Sequence, residues 1–230
     1  MCSFHADQAH KLRLQEPHEQ IRHRGREQEQ VRQQRRYQPF YCEENIWWLC
    51  AEPPLGVHIE LVIFVASLSG ICPIAEQQAG AADGVAWWDY HCIALDQERR
   101  IWDLDTQLPQ PVAARIWVAH SFPRAAAWPA PLRPLFRLVP SADYLRDFSS
   151  DRRHMRDAVG HWLQPPPPWP CIGVGDSADA KASTRTDSKV DLRYYRDLSA
   201  SDGPGIVIDL DAFLAIYCAD EGAVHGPRIT

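Results

Sequence analysis

Residues 85–105, VAWWDYHCIALDQERRIWDLD, contain two runs of apolar and aromatic side chains separated by a polar segment at 96–99. Two such runs joined by a short polar segment are typical of an antiparallel hairpin. We therefore predict a strand over residues 85–95, a turn at 96–99 and a returning strand over 100–104. An antiparallel sheet is expected to form around this hairpin.

The predicted hairpin brings a histidine and a carboxylate together. If the chain turns about residue 97, His91 lies opposite Asp103 on the same face, with Cβ atoms about 4.5–5.5 Å apart. At that distance a carboxylate can hydrogen-bond an imidazole, orient it and stabilise its cation. Asp105 points to the same face on a diagonal and is the weaker partner. The alternative is that His91 is a buried histidine with a structural role only.

Three helices are predicted. The first begins near Cys42 and has Glu43 and Glu44 in its first turn, where acids complement the helix dipole. The second has Ser141 as its N-cap, and the last has Asp209 as its cap. The predicted apolar face of the last helix consists of Leu210, Phe213, Leu214 and Tyr217.

Further strands are predicted from the apolar runs at 59–66 and 205–208. The prolines between 109 and 140 indicate an irregular excursion over the surface. A helix first, antiparallel strands next and a helix last predict an α+β fold.

Composition favours one large domain behind a charged extension. The chain has 230 residues, of which 45% are hydrophobic. It contains no run of 18 or more apolar residues, the length that a membrane-spanning helix needs. The first forty residues carry eight Lys or Arg and five acids, interleaved with glutamine. This pattern predicts a basic, Gln/Arg-rich flexible tail at 1–36, without a nucleic-acid or membrane partner, and a single domain at 37–230.

The seven cysteines fit neither a disulfide framework nor a tetrahedral zinc site, because their spacing is irregular and no C-x-x-C occurs. The first forty residues contain no apolar segment typical of a secretory signal. We therefore expect reduced thiols in a cytoplasmic protein that can also be nuclear. Cys42 differs from the others because a helix start favours its thiolate, and the free amides there can hold an oxyanion.

Cys42, His91 and Asp103 together predict a Cys-His-Asp triad. A cysteine on a helix, followed by a histidine on a strand and an aspartate on the next strand, is the chain order of papain-like and transglutaminase-like folds. A peptidase or a transglutaminase is therefore one alternative. Another is a protein without catalytic activity that binds partners through the proline-rich segment at 165–170.

Seven blocks of the sequence resemble the protein N-terminal glutamine amidohydrolase family. They are YCEENIW at 41–47, PIAEQQA at 73–79, WDYH at 88–91, DLDTQLP at 103–109, FSSDRRHM at 148–155, PPPPWPCI at 165–172 and GDS at 175–177. The blocks keep the family's order over most of the chain beyond the tail. Ala75, in place of a bulky aromatic residue, and a divergent linker at 178–200 depart from the family pattern.

The resemblance implies hydrolytic deamidation of an N-terminal glutamine to glutamate, with release of ammonia, as a step of the N-degron pathway. By motif match the triad is Cys42, His91 and Asp103, acting through a thioester without a cofactor or a metal ion. The expected partners are proteins or peptides with a free N-terminal glutamine, and the expected state is a monomer.

Selection of an N-terminal over an internal glutamine requires a group that binds the free α-ammonium. Glu43, Asp89 and Asp151 are the candidate acids, and for each the alternative is an ion pair or a capping role. Trp88 and Tyr90 flank His91 and are candidates for the pocket wall, with core packing as the alternative.

Overall fold

The computed structural model describes residues 36–173, 190–200 and 202–219. The predicted tail at 1–36 lies outside the described residues except for its last position. The 175–177 block lies outside them as well, as does most of the divergent linker.

The described strands form one large sheet and two small ones. They are β1 (Ile59–Ala66), β2 (Cys72–Ile74), β3 (Ala86–Trp88), β4 (His91–Asp96), β5 (Arg100–Trp102), β6 (Val112–Ala113), β7 (Leu135–Pro140), β8 (Phe148–Ser149), β9 (Val190–Asp191) and β10 (Ile206–Asp209). The large sheet is antiparallel, with the order β10-β7-β1-β4-β5-β6. The small sheets pair β2 with β3 and β8 with β9.

Helices cover both faces of the large sheet. They are α1 (Cys42–Ala51), α2 (Ala114–Ser121), α3 (Ser141–Asp147), α4 (Leu192–Arg196) and α5 (Leu210–Tyr217). One core contains buried side chains of α1, α3 and α4, and a second core contains those of α2 and α5. The α+β class is thus confirmed, with an antiparallel sheet packed between helices. Within the described part of the chain, no helix combines the length and apolarity needed to cross a membrane.

The two cores explain why β1 is apolar along nearly its whole length. Val62 and Phe64 point into the first core, whereas Ile63 and Val65 point into the second. A strand covered on both faces needs apolar residues at successive positions. The predicted strand at 59–66 therefore has the predicted bounds.

The strand predicted at 85–95 is wrong in one respect, because it is two strands. Pairing of β1 with β4 ends at Val65 opposite His91, so residues before His91 have no partner in the large sheet. They pair with β2 instead, with Trp88 opposite Cys72. The break at Asp89 and Tyr90 lets Trp88 and His91 approach each other from different sheets.

The predicted hairpin register is also wrong. Ala94 pairs with Trp102 and Leu95 with Ile101, which moves the turn one residue later than expected. The carboxylate of Asp96 explains the shift, since its Oδ1 accepts the backbone amides of Glu98 and Arg100. The returning strand ends at Trp102, and Asp103 follows it without a strand partner.

Three other predictions need correction. Ser141 is the first residue of α3, not its cap, because its hydroxyl donates to the carbonyl of Ile59 at 2.6 Å. Leu214 in α5 is exposed, whereas Asp209 caps that helix as predicted. The proline-rich excursion at 109–140 contains α2 and β7, because the prolines leave residues 112–122 and 135–139 uninterrupted.

Candidate active site

Cys42 is the first residue of α1, as the sequence predicts. Tyr41 precedes the helix and caps it with no side-chain hydrogen bond. Asn45 instead fixes the entry to the helix, since its side chain accepts from the Gln38 amide and donates to the Gln38 carbonyl, both at 2.8 Å. The first backbone N–H groups of any helix lack carbonyl partners within it. The thiol of Cys42 therefore lies beside amides that can bind an anion.

The position of α1 is set by packing and by one long-range hydrogen bond. Ile46 and Leu49 are buried against the sheet. The hydroxyl of Tyr144 donates to the backbone carbonyl of Glu43 at 3.0 Å, which ties the first turn of α1 to α3. These contacts hold the amino end of the helix against the start of β4.

His91 and Asp103 form a buried pair, although the register argument that predicted it is wrong. His91 Nε2 lies 2.8 Å from Asp103 Oδ1, and both side chains are fully buried. Burial lowers the pKa of His91, but the charge and hydrogen bond of Asp103 outweigh it, so the net pKa is raised. For Asp103, burial raises the pKa, and the His91 partner and further donors bring it below its usual value.

Asp103 accepts three hydrogen bonds besides the one from His91. Its Oδ2 accepts from Gln77 Nε2 and from Trp117 Nε1, each at 2.9 Å, and its Oδ1 accepts the Asp105 amide at 3.1 Å. Sequence reasoning missed Gln77 and Trp117. Gln77 lies inside the 73–79 block. No local pattern points to Trp117, which belongs to α2 and the second core.

The second ring nitrogen of His91 is available. Nδ1 is buried and has no hydrogen-bond partner among the described residues. Trp88 stacks on the imidazole, with ring centroids 5.6 Å apart and an interplanar angle of 12°. Because Nε2 is bonded to Asp103, Nδ1 is the nitrogen that can accept a proton. Trp88 is thus a neighbour of the site, and its ring keeps the imidazole in place.

The surroundings of Cys42 disfavour its thiolate, contrary to the expectation from the helix start. Burial raises its pKa well above the usual value, and Glu43 raises it further, while a hydrogen bond from the Cys92 backbone opposes the rise. Cys92 directly follows His91, so the sulfur lies next to the start of β4. The thiol donates to Glu43 Oε2 at 3.7 Å, and within the described residues no hydrogen bond joins Cys42 to His91.

Glu43 and Tyr90 form a second buried pair beside the sulfur. The Tyr90 hydroxyl donates to Glu43 Oε2 at 3.0 Å. Burial and the neighbouring Glu44 raise the pKa of Glu43 to about 7. Burial and Glu43 raise the pKa of Tyr90 well above its usual value, so Tyr90 remains a donor. Both sequence candidates therefore reach the site.

Asp89 and Asp151 do not reach the buried site. Asp89 is 64% exposed in its side chain and pairs with Arg196 at 3.2 Å. Asp151 is 38% exposed and pairs with Arg153. Asp151 lines a surface cleft of about 340 Å³ together with His154, Asp191, Arg193 and Arg196, among others.

The proline-rich segment is fastened to α1 through a buried ion pair. Arg152 forms two hydrogen bonds of 2.7 Å with the carboxylate of Glu44, and the Trp169 indole donates to the same carboxylate at 2.7 Å. Arg152 also donates to the carbonyls of Trp169 and Pro170. The segment therefore packs on the body of the protein.

His91, Asp103 and Asp105 offer ligand atoms of the types that bind metal ions, all within 4.8 Å of one another. However, His91 Nε2 and Asp103 Oδ1 are bonded to each other, and Asp103 accepts three more donors. Asp105 Oδ1 accepts the Tyr37 hydroxyl at 2.5 Å. The arrangement therefore fits a hydrogen-bonded imidazole better than a set of metal ligands.

Comparison with known proteins identifies the family of the chain. The family described as N-terminal glutamine amidase matches residues 37–217 of the chain. A Homo sapiens protein named protein N-terminal glutamine amidohydrolase is 35% identical over 185 residues, covering 77% of this chain and 85% of that protein. A protein of the same name from Bos taurus is 34% identical over 186 residues, covering 77% of this chain and 84% of that protein. Another, from Oryza sativa subsp. indica, is 31% identical over 190 residues, covering 74% of this chain and 82% of that protein.

Proposed function

The chain belongs to the N-terminal glutamine amidase family, and from this premise we propose that Cys42, His91 and Asp103 hydrolyse the side-chain amide of an N-terminal glutamine. The observation that carries the proposal is the buried hydrogen bond of 2.8 Å between His91 and Asp103, which leaves His91 Nδ1 free as a base. Cys42 supplies the nucleophile at a helix start.

Formation of the acyl-enzyme begins with proton transfer. His91 Nδ1 accepts the thiol proton of Cys42, and the sulfur attacks the carboxamide carbon of the substrate glutamine. The resulting oxyanion is held by backbone amides at the start of α1, including that of Cys42. The imidazolium returns its proton to the leaving nitrogen, the carbon–nitrogen bond breaks, and ammonia departs. A thioester between Cys42 and the glutamyl side chain remains.

Hydrolysis of the thioester reverses these roles. His91 accepts a proton from water, the hydroxyl attacks the thioester carbon, and the carbon–sulfur bond breaks. The sulfur regains its proton from His91, and the product carries an N-terminal glutamate. Throughout the cycle Asp103 keeps the imidazole oriented and stabilises its cation.

The wider assignments follow from the same premise. We infer that residues 37–230 are one catalytic domain and that its nucleophile, histidine and aspartate are ordered as in papain-like and transglutaminase-like enzymes. The match over 37–217 supports the amino-terminal boundary. A cytoplasmic or nuclear monomer that acts in the N-degron pathway, without a nucleic-acid or membrane partner, stays a prediction.

The test is ammonia release from four peptides that begin with Gln, acetyl-Gln, Asn and Ala-Gln. We expect release from the Gln peptide alone, and its loss in Cys42→Ala. Cleavage of the peptide backbone, or cross-linking that depends on an added amine, would instead favour a peptidase or a transglutaminase. Inactivity of the folded protein on all four peptides would favour a binding protein that uses the proline-rich segment.

A further inference from the structure

One buried carboxylate oxygen beside the nucleophile has no hydrogen-bond donor. Glu43 is completely buried, and its Oε2 accepts the Tyr90 hydroxyl and the Cys42 thiol. Its Oε1 has no hydrogen-bond partner among the described residues. A buried carboxylate oxygen without a donor is costly, so its retention requires a reason.

His154 does not donate a hydrogen bond to this oxygen. Its Nε2 lies 3.5 Å from Glu43 Oε1, which is within ion-pair distance, yet neither atom has a hydrogen-bond partner within the described part of the chain. Burial and Arg196 lower the pKa of His154, so at neutral pH the imidazole supplies no fixed positive charge. Glu43 therefore faces a group that neither neutralises it nor donates to it.

Oε1 of Glu43 lies next to His154, which lines the surface cleft. His154 and Arg196 are among the residues that line the cleft. The guanidinium of Arg196 lies 5.9 Å from the centre of the Tyr90 ring, and Tyr90 itself donates to Glu43. Both residues thus connect the cleft to the pair beside Cys42. Glu43 itself is completely buried and does not line the cleft, so a group in the cleft meets Oε1 only when the His154 side chain moves aside.

In the absence of substrate, Glu43 also makes the Cys42 thiol harder to ionise. Its Oε2 is 3.7 Å from the Cys42 sulfur, and a negative charge there opposes ionisation of the thiol. A cation bound at Oε1 would cancel this effect. The same residue can therefore both recognise a positive group and hold the nucleophile inactive until that group arrives.

We propose that Glu43 binds the free α-ammonium of the substrate, and that this ion pair both selects N-terminal glutamine and prepares Cys42 for attack. The inference rests on the proposed amidase function. The ammonium takes the position beside Oε1 and donates the hydrogen bond that His154 does not make. The residues that follow the glutamine lie in the cleft. An internal glutamine has no ammonium and leaves Oε1 of Glu43 without a hydrogen-bond donor.

The test compares two substrates that differ only in the α-amino group. One is a peptide that begins with Gln, and the other carries a 4-carbamoylbutanoyl group in its place. Wild-type protein should prefer the Gln peptide in kcat/KM. In Glu43→Gln, kcat/KM for the Gln peptide should fall by about 10- to 100-fold, the range for losing a hydrogen bond to a charged group. The loss on the desamino peptide should be smaller, because that peptide has no ammonium for Glu43 to bind.

The rival acids and a folding control make the result decisive. Asp89→Asn and Asp151→Asn should keep the wild-type preference, because these carboxylates do not face the buried site. A Tm of Glu43→Gln equal to that of wild type shows that this variant is folded. An equal loss on both peptides would overturn the role of Glu43, as would loss of the preference in Asp89→Asn or Asp151→Asn. Failure of wild-type protein to release ammonia from the Gln peptide would instead refute the proposed function.

Discussion

Replacing Asp103 with asparagine tests how the site holds its histidine. Each oxygen of Asp103 accepts two donors: Oδ1 accepts His91 and the Asp105 amide, and Oδ2 accepts Gln77 and Trp117. In either orientation, the asparagine NH₂ must face two N–H groups. If His91 changes tautomer to escape this conflict, its Nδ1 becomes a donor and can no longer accept the thiol proton.

The expected loss has a catalytic and a structural component. The corresponding aspartate-to-asparagine change in a serine protease triad lowers kcat by about 10⁴, and we expect a loss of about 10³- to 10⁴-fold in Asp103→Asn. Buried donors left without an acceptor cost about 1–3 kcal/mol. At about 2–4 °C per kcal/mol for a domain of this size, the Tm should fall by about 2–12 °C.

The His91–Asp103 pair also predicts how the difference in stability between wild type and Asp103→Asn varies with pH. The pKa of Asp103 is below its ordinary 3.8, so its contribution is present above that value and is lost as pH falls through the folded pKa. The pKa of His91 is above its ordinary 6.5, so its contribution is complete below that value and is lost as pH rises through the folded pKa. The difference in unfolding free energy between wild type and Asp103→Asn should therefore narrow in alkaline solution.

Asp96→Asn is the matched control. Asp96 is fully buried, and its carboxylate accepts the Glu98 and Arg100 amides, the Arg100 side chain and the Trp102 indole. It lies at the opposite end of β4 from His91. The control should lose stability without a comparable loss of kcat in the ammonia assay. A kcat for Asp103→Asn within tenfold of wild type, or equal losses in both variants, would refute the reasoning.

Three further predictions concern the surroundings of the proposed triad. Arg152→Met leaves the Glu44 carboxylate buried without its partner and should lower the urea unfolding free energy by about 3–5 kcal/mol, whereas exposed Arg153→Ala should cost at most about 1 kcal/mol; equal effects would contradict the role of the buried pair. Trp88→Leu removes the ring stacked on His91 and should lower kcat by about 2- to 10-fold, and an unchanged kcat would show that the stacking is dispensable. Glu43→Gln removes the carboxylate beside the Cys42 thiol and should speed its alkylation by iodoacetamide at pH 7 by about tenfold, whereas slower alkylation would show that Glu43 assists ionisation of the thiol.

The sequence predicts those parts of the fold that depend on local patterns. The helix at Cys42 has acids in its first turn, and the helix after Asp209 has a side-chain cap, so both begin as expected. The strand at 59–66 is identified by its apolar run. In contrast, β7 is paired on both sides by strands distant in sequence, β1 and β10, and only that long-range pairing makes it part of the central sheet.

The site shows the same division. Cys42, His91 and Asp103 are proposed from the helix start, the hairpin and the family blocks. His91 and Asp103 do form a hydrogen bond, although the predicted register that placed them opposite each other is wrong. The donors Gln77 and Trp117 are not found, because they meet Asp103 only through tertiary packing. The spacing of Glu43 and Tyr90 in the sequence also gives no sign that the two side chains bond each other beside the sulfur.

The most direct test of the central claim is to trap the acyl-enzyme. Wild-type protein mixed with a Gln peptide would be quenched in acid during turnover, digested and analysed by mass spectrometry. We predict that the fragment containing Cys42 carries the substrate less one ammonia, and that Cys42→Ala shows neither this adduct nor turnover. Ammonia release that persists in Cys42→Ala, or an acyl group found on a different residue, would contradict the account.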